Sequence, residues 1–116
     1  MTWEPPKLPS EEFLLPVHKY NDAVGPLFAE FKGRFPMHDH NENSLQHSLG
    51  IFLTAVYTRA MEQMEKLRPE QLTREQWAVA STEVKAEHIH WQRNLHYLKQ
   101  RNDYFVSLIT PRRHVL

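Results

Sequence analysis

Histidine, carboxylate and arginine are the residues whose types and spacing in this chain could carry chemistry. Eight histidines occur in 116 residues, six of them gathered at His38, His40 and His47 and again at His88, His90 and His96. Imidazole titrates near neutrality and ligates transition metals, so such clusters are candidates for both roles. Glu87 and His90 form an E-x-x-H pair, which on a helix places carboxylate and imidazole on one face. Di-iron carboxylate bundles use that spacing once on each of two helices and add two further glutamates. Only one copy is present here, so a site of this kind has to be completed across an oligomer. His47 and His96 are expected neighbours across a helical hairpin, and Asp39, Glu42 and Glu83 are the spare carboxylates. Iron, zinc or manganese would suit that mixture of nitrogen and oxygen ligands. His38-Asp39-His40 is a second chelating pattern, with His47 and Glu42 as supplementary ligands. Against both stands the ordinary reading, a solvated helix face and a polar loop. The expectation is therefore no cofactor, with a metal-binding, oxidoreductase-type oligomer as the alternative.

A second chemistry is nucleic-acid binding. Arg93, Tyr97, Arg101 and Tyr104 recur at spacings of four, four and three, and share one helical face. Arginines can meet phosphates there while a tyrosine stacks on a base. Lys85, Lys99, Arg112 and Arg113 lie in the same third of the chain. Basic charge near a helix C-terminus is favourable in its own right, which makes this reading an alternative as well.

Other chemistries are excluded by composition. With no cysteine there is no disulfide, zinc-thiolate site, iron–sulfur cluster or thiol nucleophile. The glycines are Gly25, Gly33 and Gly50, so no phosphate-cradling loop exists, and no serine sits in a nucleophile-elbow context. A non-catalytic chain is expected. Fourteen acids balance fourteen Lys and Arg, which removes any long-range field toward nucleic acid or an anionic membrane. The balance hides a gradient, with acids prevailing in residues 1–44 and bases in residues 73–116. No apolar run reaches the ~20 residues of a membrane span. An intracellular, water-soluble protein follows as the expectation, in the cytoplasm or an organelle matrix.

These side chains must be positioned by helices. The composition, 41% hydrophobic and 24% charged, is that of one globular domain. Pro5, Pro6, Pro9 and Pro16 predict an extended arm over residues 1–16, whose Trp3, Leu8 and Phe13 require cover. Val17, Tyr20, Val24, Leu27, Phe28 and Phe31 predict a helix over about 17–34, kinked at Gly25-Pro26. After a polar loop, Leu45, Leu49, Phe52, Val56, Ala60, Met64 and Leu67 predict an amphipathic helix over about 44–67. Thr73 with Gln76 reads as a capping box opening a last helix over about 74–109. Its stripe runs Trp77, Ala80, Val84, His88, Trp91, Leu95, Leu98, Asn102, Phe105 and Ile109, and a short basic tail follows over 110–116.

The fold class is thus all-α, a long antiparallel hairpin with a helix and an arm preceding it. A tight turn near Glu70 pairs Leu45 with about Leu95 and leaves residues 98–109 overhanging by roughly 18 Å at 1.5 Å per residue. His88 and Asn102 interrupt the apolar seam, where a polar group costs stability unless hydrogen-bonded and can set register or oligomeric state. The resulting expectation is a non-catalytic interaction or assembly subunit of a larger complex or homo-oligomer. Its partner contacts are expected at Trp3, Leu8, Phe13, Tyr104, Phe105 and Ile109.

Overall fold

The computed structural model describes residues 10–30 and 43–110. Within them the fold is all-α, built from α1 (Ser10–Glu30), α2 (Asn43–Lys66), the short α3 (Arg74–Val79) and α4 (Thr82–Ile109). Residues 1–9 of the expected arm lie outside the described residues, but residues 10–16 are helical. Pro16 and Pro26 both sit inside α1, which is not split at Gly25-Pro26. The carbonyls these prolines leave unpaired, four residues earlier, belong to the exposed Glu12 and Asp22, where water can serve as partner. Packing supplies the rest. Phe13, Val17, Tyr20, Val24 and Phe28 are buried at spacings of four, three, four and four, and Pro16 is fully buried beside them. Proline marked a boundary by local propensity, and burial of an apolar stripe outweighed it.

α2 buries Leu49, Leu53, Ala60 and Met64. Phe52, expected on this stripe, is 40% exposed instead and lines a shallow cleft with Pro16 and Tyr20 of α1. α4 contributes Trp91, Leu98, Phe105 and Ile109 to the same core.

The expected single last helix is broken. Thr73 does form the capping box, its hydroxyl accepting from Gln76 N–H at 3.1 Å and its own N–H donating to Gln76 Oε1 at 2.9 Å. That helix ends after six residues, because Ala80 and Ser81 are both extended, with ψ of 149° and 161°. Ser81 then caps α4, its Oγ accepting from Val84 N–H at 3.3 Å. The turn brings the Trp77 ring within 5.6 Å of the His88 ring. In an unbroken helix those residues would be about 16 Å apart along the axis.

The break resets the hairpin's register. Fifteen residues, 67–81, connect α2 to α4 instead of a tight turn. Trp91 donates its indole N–H to the Met64 carbonyl at 2.7 Å, and Ile109 Cδ1 lies 3.8 Å from where a methyl group on Gly50 would stand. Leu95 therefore faces the level of Ala60, not Leu45. No overhang remains, since residues 98–109 run alongside α2. Their other flank is covered by α1, whose Phe28 ring lies 4.4 Å and whose Tyr20 ring lies 6.3 Å from Phe105.

Candidate interaction surfaces

The structure turns several expected contact residues inward. Phe13, Phe105 and Ile109 belong to the chain's own core and present almost no surface to a partner. Tyr104, next to Phe105, is 51% exposed. Trp3 and Leu8 lie outside the described residues.

The two polar residues expected in the seam diverge. Asn102 is in the seam, and its Oδ1 accepts from the Tyr20 hydroxyl at 3.1 Å, tying α1 to α4. Burial pushes the Tyr20 phenol well above its ordinary value of 10.0, against a smaller opposing pull from Arg101. Tyr57 sits edge-on to Tyr20 at 6.5 Å and is raised too, first by burial and then by the Asp103 carboxylate. His88 is not between α2 and α4. It stands edge-on to Trp77, at a corner pocket of about 440 Å³ that Arg68, Leu72 and Trp91 also line. Arg68 lies over the Trp91 ring at 4.5 Å while gripping Glu65 with two hydrogen bonds of 2.9 and 2.7 Å. Those bonds hold the Glu65 carboxyl below its ordinary range.

The candidate metal ligands are not assembled. With Met64 opposite Trp91, His96 stands near the level of residues 59–63 of α2. His47 is then displaced from it by about 20 Å along the hairpin at 1.5 Å per residue. Glu87 and His90 share a face of α4 as expected, but neither is joined by a third ligand. Among the described residues no group of three or more His, Asp or Glu side chains could hold a metal ion. His38, Asp39, His40 and Glu42 lie outside the described residues.

Arg93, Tyr97, Arg101 and Tyr104 are all exposed on one flank of α4. The Arg101 guanidinium is fixed over two rings, 5.7 Å from the Tyr104 centroid and 4.9 Å from that of Phe105. Arg112 and Arg113 lie outside the described residues.

One surface was not anticipated. Where α2 and α4 meet, a groove of about 920 Å³ is lined by Gln46, His47, Gly50, Ile51, Val106 and Ile109, among others, and, among the described residues, by none of α1. Its walls are apolar yet open, with Ile51 59% and Val106 40% exposed. Gly50 lines it, with the Ile109 side chain 3.8 Å from where a methyl group on Gly50 would stand. The signal for it was present in the sequence: Gly50 and Ile51 fall on the α2 flank that carries His47, Thr54 and Thr58. Only the wrong register kept Val106 and Ile109 from being placed opposite them.

No helix among the described residues is long and apolar enough to cross a membrane. Comparison with protein-family models, with curated proteins and with solved structures finds no match to this chain.

Proposed function

We propose that this chain is a non-catalytic helical interaction subunit whose groove between α2 and α4 receives a helix of another protein chain, either a second copy or a different protein. The supporting observation is the exposed pair Ile51 and Val106 flanking Gly50 along an apolar channel that α1 leaves uncovered. An amphipathic helix laid in such a channel buries its apolar face and completes a four-helix arrangement. A glycine at the contact lets the two backbones approach closely.

Light scattering coupled to size-exclusion chromatography tests this on the whole chain alone and mixed with candidate partner chains. Gly50→Arg, which drives a long charged side chain into the groove, is expected to abolish the assembled species while leaving the helical content unchanged. Assemblies that persist in Gly50→Arg, or a wild-type chain that stays monomeric with every partner offered, would contradict the reading.

A further inference from the structure

We infer that the outward flank of α4, marked by Arg93, Tyr97, Arg101 and Tyr104, is a docking strip for an acidic segment of a partner protein. The inference goes beyond the groove reading and concerns another face. At 100° per residue, Tyr104 points about 160° away from Val106 around the helix. Two observations indicate what the strip receives. First, neither Arg93 nor Arg101 has an ion-pair partner among the described residues, where the only pair is that of Arg68 with Glu65. The carboxylate nearest Arg101 in sequence, Asp103, lies on the side of Tyr57. Second, Tyr97 and Tyr104 are 42% and 51% exposed, four and three residues from an arginine. Tyrosine and arginine together are the side chains that dominate protein contacts.

The occupant follows from the chemistry of Arg101. Its guanidinium face is taken up by the Tyr104 and Phe105 rings, which leaves its N–H edge to meet a planar anion in the fork geometry that suits carboxylate. Stacking a base on that face is precluded. Two arginines eight residues apart, in a chain whose pI is about 7.1, also supply few phosphate contacts, whereas nucleic-acid binders draw their affinity from many. Arg93 and Arg101 are about 12 Å apart along the axis, which matches carboxylates seven or eight residues apart on a helix laid alongside.

The test is calorimetric titration of the full chain with a helical peptide of alanine and glutamate, glutamates placed seven apart, and with polyuridylic acid, both at 50 mM salt. Wild type is expected to bind the peptide, more weakly as salt is raised to 300 mM, and to prefer it to the RNA. The double variant Arg93→Glu/Arg101→Glu should lose at least tenfold in affinity. Arg93→Glu alone, at a residue with no described contact and so without consequence for folding, should lose several-fold. Gly50→Arg should bind the peptide as wild type does, so that failure of the strip and failure of the groove are told apart. Undetectable peptide binding, equal binding by Arg93→Glu, or tighter binding of the RNA through the same arginines would each overturn the inference.

Discussion

The Trp91 indole N–H reaches across the hairpin to the main-chain carbonyl of Met64, 2.7 Å away, at the level where α2 enters its last turn. This bond joins residues 27 positions apart and fixes which turn of α4 faces which turn of α2. Every surface described above depends on that register. It sets Ile109 beside Gly50, which builds the groove, and it places residues 98–109 under α1.

Trp91→Phe keeps most of the packing and removes the donor. The Met64 carbonyl retains one bond, from Leu67 N–H at 3.1 Å, but a buried lone pair loses its partner. A loss of about 1–3 kcal/mol is expected in urea unfolding. Trp91→Ala, which adds a cavity, should cost about 3–5 kcal/mol.

Phe105 and Tyr104 are adjacent in sequence and opposite in role. Phe105→Ala should destabilise the chain by about 3–5 kcal/mol, because its ring packs against Phe28 and Tyr20. Tyr104→Ala, half-exposed, should change stability by less than about 1 kcal/mol. Paired denaturation curves check this directly. Equal effects would mean that the end of α4 is not covered by α1.

These residues also show what could be read beforehand. The stripe of α4 from Val84 to Ile109 was legible because apolar side chains recur along one face over seven turns. The Thr73 capping box was legible because its chemistry is local. The stop at Ala80 was not anticipated, although Ser81-Thr82-Glu83 carries a cap residue and an acidic first turn, because a second cap seven residues into an apolar pattern looks like ordinary helix. An unbroken helix through Ala80 would shift the register and leave an overhang that the chain does not have. The helical start of α1 was missed for the opposite reason. Pro16 is a strong local signal, and only tertiary burial of Phe13 and Val17 overrides it. The histidines were the most conspicuous feature of the composition, yet the register separates His47 from His96 and the bend pairs His88 with an indole. The groove needed both helices placed correctly and so lay beyond a reading of either one.

Tyr20 links stability to alkaline pH. Its folded phenol titrates well above the ordinary 10.0, chiefly through burial, so above pH 10 the unfolded chain has lost a proton that the folded chain retains. The unfolded state is then favoured as pH rises. Stability should be flat from neutrality to about pH 9 and decline above pH 10. Tyr20→Phe should flatten that decline, while costing about 1 kcal/mol at neutral pH through the lost bond to Asn102. Urea titrations between pH 7 and 11 give both readings. A decline as steep in Tyr20→Phe as in wild type would contradict the assignment.

The groove between α2 and α4 is proposed as the seat of a partner helix. The most direct measurement is site-specific photo-crosslinking in the native setting, with a benzophenone side chain at Ile51 in the groove or at Val79, which is 85% exposed on α3, away from it. The Ile51 probe is expected to capture one partner at residues that map to a single helical face, the Val79 probe is not, and Gly50→Arg should abolish the product. Capture from Val79 equal to that from Ile51, or an Ile51 product undiminished by Gly50→Arg, would contradict it.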